Sequence, residues 1–115
     1  MLIQRQFLYL ADLNPRKGTE PGKVRPVVVL QSNMLNGKHP STIVCPLTSQ
    51  VIEDVVTLRV RLKKGQARLL QDSDVLIDQI RAIDNARFLK PLGKVPDSIF
   101  AKITKNILTV LDLAV

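Results

Sequence analysis

Apolar residues along this chain follow two spacings, one typical of β-strands and one typical of an α-helix. Alternation is sharpest over residues 58–63, where Leu58, Val60 and Leu62 alternate with basic residues and are predicted to point inward. The unbroken apolar run from Val27 to Leu30 predicts a strand buried on both faces or central in a curled sheet. Strands are predicted at residues 8–13, 27–31, 42–46, 58–63, 75–80 and, briefly, 88–92.

Helical spacing begins after Pro96. Ile99, Ile103 and Ile107 lie on one apolar face, and Asp97 suits the positive end of a helix dipole. A helix is therefore predicted from about residue 97 to residue 113. Short strands followed by one closing helix predict a mainly β fold with a C-terminal helix, a small curled barrel that forms a single domain over residues 1–115.

Turn-forming residues separate these elements. Residues 16–23 are rich in charge and glycine, and Asn36-Gly37 with Pro40 predicts a flexible connection over residues 32–41. A short helical turn is predicted over residues 83–87. His39 lies in the flexible connection, where we expect it to be exposed and without a catalytic role.

The chain carries an excess of basic residues. It has 17 Lys and Arg against 10 Asp and Glu, a net charge of +7, and both halves are net positive. The charge therefore belongs to the folded surface, which would favour a polyanion because neutralised phosphates release counterions. Nucleic acid, an acidic protein and an anionic membrane all fit this charge, and so does ordinary solvation.

Cysteine content and hydropathy indicate in which cellular compartment the protein is expected. Cys45 is the only cysteine and lies in an apolar strand, so we expect it in the core, and no disulfide framework is predicted. The sequence shows no leader peptide and no apolar stretch of membrane-spanning length. A soluble, cytoplasmic protein without a membrane partner is the expectation.

Arg25 and Thr48 are the residues that best fit chemistry on a phosphate. The residues alone equally fit a structural role, in which Arg25 only precedes a proline at the start of a strand and Thr48 caps a turn. Each lies at the mouth of an apolar strand, and the arginine offers a planar fork of donors that matches phosphate oxygens. His39 is the only histidine, which excludes a two-histidine ribonuclease mechanism within one subunit. The pair Asp72 and Asp74 is expected to be solvated, so no metal site and no cofactor are predicted.

Four sequence blocks together carry a resemblance to a known family. They are Tyr9-Leu10-Ala11-Asp12-Leu13-Asn14-Pro15, then Gly18-Thr19-Glu20 through Arg25-Pro26-Val27-Val28-Val29, then Leu47-Thr48-Ser49-Gln50, and Val75-Leu76-Ile77-Asp78-Gln79-Ile80-Arg81-Ala82-Ile83-Asp84. In order and spacing they resemble the MazF/PemK (Kid) family of RNA endonucleases, the toxins of toxin-antitoxin pairs. This chain departs from the family at Gln6-Phe7, where a Gly-Asp pair is usual.

The resemblance implies an SH3-like fold and assigns roles to three residues. Arg25 would bind the scissile phosphate, stabilise its extra charge and relay a proton, while Thr48 would donate to a non-bridging oxygen. Asp78 is the candidate base, or instead a structural partner of Arg81 or Arg25. Some family members have an arginine two residues before this aspartate, whereas Leu76 stands there in this chain.

The resemblance also implies the substrate and the partners. They are single-stranded RNA, cut to a cyclic phosphate and a 5′-hydroxyl, a cognate antitoxin with an acidic segment, and a second copy of the chain in a homodimer. RNA contacts are expected from loop and surface groups, namely Asn14, Arg16, Lys17, Thr19, Glu20, Lys23, Ser49, Gln50, Arg59, Arg61 and Gln79.

Two other functions fit the same resemblance. A gyrase poison related to CcdB shares the fold, but those toxins use a C-terminal tryptophan that this chain lacks. A non-catalytic RNA-binding module would bind RNA without cutting it, and the sequence does not separate this function from an active nuclease.

Overall fold

The computed structural model describes residues 1–113. Within them the chain forms seven β-strands, one α-helix and short 3-10 turns at Gln66–Arg68, Ile77–Gln79 and Asn85–Arg87. The elements are β1 (Phe7–Asp12), β2 (Val24–Val29), β3 (Ser41–Thr48), β4 (Arg59–Leu62), β5 (Ser73–Leu76), β6 (Arg81–Asp84), β7 (Phe88–Lys94) and α1 (Asp97–Val110).

The strands form one antiparallel sheet in the order β4-β5-β3-β2-β1-β7, and β6 also pairs with β3. β3 joins the two parts of this sheet, because its first half pairs with β6 and its last two residues, Leu47 and Thr48, pair with β5. The sheet is curled and not closed. The predicted fold class, mainly β with a C-terminal helix, is confirmed.

Apolar clusters lie on both faces of the sheet, which explains the unbroken run in β2. Val28 belongs to the cluster beneath α1, while Val27 and Val29 belong to a cluster on the opposite face. All three side chains are fully buried. Cys45 lies in the first cluster, as predicted.

Helix α1 covers one end of the sheet. It buries Phe100 and Ile103, and Ile99 and Ile107 pack at the edge of the same cluster. The helix ends at Val110, earlier than predicted, and Leu111 is exposed. Within residues 1–113, no helix has the length and apolar content needed to cross a membrane.

Several predicted boundaries were wrong. β2 begins at Val24, which places Arg25 inside the strand, and β4 begins at Arg59, so Leu58 is exposed and does not point inward. The strand predicted over residues 75–80 ends at Leu76 and becomes a 3-10 turn. Part of the helical turn predicted over residues 83–87 belongs to the strand β6.

The turn before β1 accommodates the departure from the family pattern. Gln6 has φ 77°, in the left-handed region that favours glycine. Its side-chain amide donates to the backbone oxygen of Val95 and to Asp97 Oδ1, at 2.8 and 2.7 Å. These bonds join the turn to the start of α1, which a glycine at this position could not do.

Candidate active site

A cleft of about 360 Å³ opens where β2 begins and β3 ends. Its walls come from β1, β2, β3, the segment between β4 and β5, and β7. We call it the basic cleft and define it by its lining residues: Leu10, Lys23, Val24, Arg25, Pro26, Leu47, Thr48, Ser49, Gln50, Arg68, Leu69, Leu70, Gln71, Ser73, Lys90 and Leu92.

Arg25 is held at this cleft by two backbone carbonyl groups. Its Nε donates to the oxygen of Gly22 at 2.8 Å, and one terminal nitrogen donates to the oxygen of Leu47 at 3.4 Å. A guanidinium has five N–H donors. Within residues 1–113 its remaining donors have no partner, so the group is oriented by the protein and still able to bind an oxyanion.

Thr48 is the last residue of β3 and is 8% exposed. Its hydroxyl oxygen accepts from the backbone N–H of Gln50 at 3.1 Å, so the side chain does stabilise a turn. The hydroxyl proton remains available, because accepting one hydrogen bond leaves the O–H free to donate. Thr48 can therefore hold the turn and donate to a ligand at the same time.

Every charged residue that lines the basic cleft is a cation. They are Lys23, Arg25, Arg68 and Lys90, and neither aspartate nor glutamate is among the lining residues. None of the four takes part in the ion pairs formed within residues 1–113. Such a cleft attracts an anion, and its apolar wall residues offer a surface to a partly apolar one.

A second cleft, of about 430 Å³, lies between α1 and the start of β4. We call it the mixed cleft, because its lining carries both signs of charge. Its lining residues are Ile52, Glu53, Asp54, Val55, Val56, Arg59, Val60, Arg61, Asp74, Ile99, Lys102, Lys105 and Asn106.

The mixed cleft contains Arg59 and Arg61, which the sequence pattern assigned to RNA. Both arginines pair with Asp74, whose side chain is 2% exposed. The expectation that Asp74 is a solvated turn residue was wrong. Burial raises the pKa of Asp74, but hydrogen bonds from Arg61, from the Ile52 N–H and from Arg59 outweigh it, so this pKa lies below its usual value.

Among the predicted loop residues, the structure brings only Lys23, Ser49 and Gln50 to the basic cleft. Two other predicted residues of the β1–β2 loop have partners within the protein. Asn14 Oδ1 accepts from the Lys23 N–H at 2.8 Å, and Glu20 pairs with Arg81 at 3.9 Å. The side chains of Arg16, Lys17 and Thr19 are exposed and do not line the cleft.

Asp78 and Gln79 lie in the 3-10 turn that follows β5 and do not line the basic cleft. Asp78 is exposed and lies near Cys45. Burial and then the charge of Asp78 raise the pKa of the Cys45 thiol to about 12, which makes that thiol unreactive. Arg81 forms its ion pair with Glu20 and not with Asp78.

His39 is exposed, as predicted, and its Nδ1 lies 3.1 Å from the Ser41 hydroxyl. Within residues 1–113 no group of three or more His, Cys, Asp or Glu side chains could hold a metal ion. The groups of the basic cleft that fit a phosphate are the Arg25 guanidinium, the Thr48 hydroxyl and the surrounding lysine and arginine cations.

Arg68, Leu70 and Lys90 are among the residues of the basic cleft that were not predicted from the sequence. Each comes to the cleft through strand order, since β7 pairs with β1 and the segment after β4 folds back against β7. No spacing in the sequence connects these residues to Arg25. The sequence carries one local sign of an unusual turn in this segment, the glycine at position 65. In the structure Gly65 has a φ of 92°, a conformation that favours glycine.

The fold and the basic cleft together define a class of small, curled β-sheet proteins with one closing helix and a cleft lined by cations. A sequence model of the family described as PemK-like, MazF-like toxins of type II toxin-antitoxin systems matches residues 4–111. The chain belongs to this family.

Solved structures show the same fold. MazF from Deinococcus radiodurans superposes with a TM-score of 0.85 at 24% identity, over 98% of this chain and 99% of that one. The Mycobacterium tuberculosis toxin MazF-mt6 gives 0.79 at 21% identity, over 95% and 99%. A mycobacterial endoribonuclease in complex with its cognate antitoxin gives 0.76 at 18% identity, over 99% and 97%.

Proposed function

We propose that this toxin is a metal-independent endoribonuclease that cuts single-stranded RNA at selected sequences in the cytoplasm. The observation that carries the proposal is that Arg25 and Thr48 line the same cleft and that every charged residue lining it is a cation. Membership of the toxin family supports it, as does the likeness to a protein described as an endoribonuclease.

In the proposed reaction, the 2′-oxygen of the substrate attacks the neighbouring phosphorus and its proton leaves. The phosphorus–O5′ bond breaks, the leaving oxygen gains a proton, and the products are a 2′,3′-cyclic phosphate and a 5′-hydroxyl. Arg25 binds a non-bridging oxygen and stabilises the charge that grows in the transition state, and Thr48 donates to the other. Two carbonyl groups already orient Arg25, so little reorganisation is needed when RNA binds.

In this mechanism solvent accepts the proton of the 2′-hydroxyl, while Arg25 donates a proton to the departing 5′-oxygen and regains one from solvent. Asp78 remains a proposed base, but it does not line the basic cleft of its own chain. It could act only if the bound RNA extended to Asp78, or if a second subunit placed its own Asp78 beside the 2′-hydroxyl. Replacement of Asp78 by asparagine decides this role. Unchanged cleavage by Asp78→Asn would remove it as the base.

We also propose the partners that the family implies. A homodimer would set two basic clefts on one particle, and a cognate antitoxin would cover them with an acidic segment. The cations of each cleft have no acidic neighbour among the lining residues, so an acidic peptide would neutralise them and exclude RNA.

The test is cleavage of a single-stranded transcript by purified protein in excess chelator. Wild type should cut, while Arg25→Ala and Thr48→Val should each lose about 100- to 1000-fold in rate, as expected for removal of a transition-state donor. Lys64→Gln, an exposed lysine outside the cleft, is the matched control and should cut normally. No cutting by wild type, or equal cutting by Arg25→Ala, would overturn the proposal.

A second candidate function is RNA binding without cleavage. It is favoured by the absence of a carboxylate and an imidazole from the residues lining the basic cleft, since these are the usual groups for proton transfer. Binding and cutting measured on the same oligonucleotide separate the two functions. Salt-dependent binding with no product would establish this second function.

A further inference from the structure

We propose that the segment 65–71, between β4 and β5, is a substrate-contacting wall of the basic cleft, with Arg68 binding a phosphate next to the scissile one and Leu70 packing against an unpaired base. This inference rests on the proposed function. Neither residue is part of the catalytic pair, and neither was singled out by the sequence.

The backbone of this segment is unusual. Gly65, Ala67 and Arg68 have φ values of 92°, 50° and 63°, so two consecutive residues with side chains adopt the left-handed conformation. Such conformations persist only where the surroundings enforce them, and they concentrate at binding sites. The left-handed conformations of Ala67 and Arg68 are therefore consistent with a binding role for this segment.

Contacts on both sides enforce the conformation. The Gly65 N–H donates to the oxygen of Leu69 at 2.8 Å, and the Lys64 N–H donates to Asp72 Oδ1 at 2.8 Å. On the β7 side the backbone of Ala67 lies against Gly93, so closely that a Cβ there would lie 2.8 Å from the Ala67 carbonyl carbon. The segment is thus a fixed wall.

The fixed wall turns one residue inward and two outward. Arg68, Leu69 and Leu70 all line the basic cleft, but Leu69 is 5% exposed and belongs to the core beneath α1, whereas Arg68 and Leu70 are exposed. Leu70 is 84% exposed. Arg68 forms no ion pair with any residue in the range 1–113.

These two side chains match the two parts of a nucleotide. A guanidinium without a partner binds a phosphate through its fork of donors. An exposed leucine beside a cation site can cover the face of a base, and the lining of the cleft contains no aromatic residue that would otherwise do so. The wall therefore contacts the nucleotide next to the one held by Arg25.

Binding is tested with fluorescent 2′-O-methyl RNA 12-mers of random sequence, which have no 2′-hydroxyl and cannot be cut by the proposed reaction. Arg68→Gln should weaken binding about fivefold and reduce the slope of log affinity against log salt by about 0.7, the value for one phosphate contact on a single strand. Arg68→Lys should restore the slope and recover only part of the affinity. Lys64→Gln, from the same connection but outside the cleft, should match wild type in both.

Base contact is tested by sequencing the 5′ ends of a digested transcript. Leu70→Ser should change the base preference at one position next to the cut, whereas Val56→Ser, at an 80% exposed residue of the mixed cleft, should not. If Arg68→Gln binds like Lys64→Gln, and Leu70→Ser cuts like Val56→Ser, the inference is wrong. Because wild type would still cut in that case, this failure differs from failure of the proposed function.

Discussion

The basic cleft and the mixed cleft carry the same number of cations and differ in what surrounds them. Lys23, Arg25, Arg68 and Lys90 line the first without an acidic neighbour, while Arg59, Arg61, Lys102 and Lys105 line the second beside Glu53, Asp54 and Asp74. The mixed cleft is the larger, at about 430 against 360 Å³. A count of cations therefore does not identify an anion site. The clefts differ in their acidic residues: Arg59 and Arg61 of the mixed cleft are already paired with carboxylates, and such a pair must break before the arginine binds another anion.

The mixed cleft still serves the basic one. Asp74 accepts from the Ile52 N–H at 3.0 Å, and Arg59 donates to the oxygen of Gln50 at 2.8 Å as well as to Asp74. These bonds fix the segment that follows Thr48, and this segment is a wall of the basic cleft. The ion pairs of the mixed cleft thus stabilise one wall of the basic cleft.

The largest effect on stability is expected from Asp74→Asn. Asparagine can still accept from the Ile52 N–H, but it removes the charge that holds Arg59 and Arg61. Because both arginines are partly exposed to water, the free energy of unfolding should fall by about 2 kcal/mol, below the range for a fully buried pair. Urea denaturation measures it. Asp54→Asn is the matched control in the same cleft, and an equal loss in both variants would contradict a specific role for Asp74.

The same carboxylate predicts a pH dependence. The pKa of Asp74 in the folded state lies below its usual value of 3.8, so the stability that it contributes is present above that value and is lost as the pH falls through the folded pKa. The difference in unfolding free energy between wild type and Asp74→Asn should therefore shrink in acid. A difference that stays constant from neutral pH to pH about 2 would be inconsistent with this linkage.

Sequence patterns predicted six of the seven strands, the helix and one side of the basic cleft, because these depend on local alternation and on two neighbouring strands. They did not predict the ion pairs that Arg59 and Arg61 form with Asp74. Alternation shows which face of β4 these residues occupy, but not that Asp74 on the next strand lies there to pair with them. Arg68 and Lys90 were missed for a related reason, since their position depends on pairings between distant strands.

A smaller loss is expected from Gly93→Ala, which acts on the wall of the basic cleft. The added Cβ would lie 2.8 to 3.0 Å from backbone atoms of Ala67, and backbone cannot move aside as a side chain can. Overpacking of this kind costs about 1–2 kcal/mol and should displace the segment 65–71. The melting temperature and the RNA affinity should both decrease.

Gly37→Ala is the control for Gly93→Ala. Gly37 has a positive φ, 81°, and a Cβ added there would meet no atom within 4 Å, so its replacement strains only a loop outside both clefts. It should lower stability by about 1 kcal/mol and leave RNA affinity unchanged. If Gly93→Ala also leaves RNA affinity unchanged, the wall does not shape the binding site.

The smallest effect is expected from replacing a single lysine, and the comparison uses one lysine from each cleft. Lys90→Gln removes a cation from the basic cleft, and Lys102→Gln removes one from the mixed cleft. Both change the net charge equally, so any effect of overall charge on RNA binding is shared. A local phosphate contact should make only Lys90→Gln bind a few-fold more weakly, with a salt slope reduced by about 0.7. Equal effects of the two substitutions would mean that the whole basic surface attracts RNA and that the clefts do not differ. An effect of Lys102→Gln alone would move the binding site to the mixed cleft.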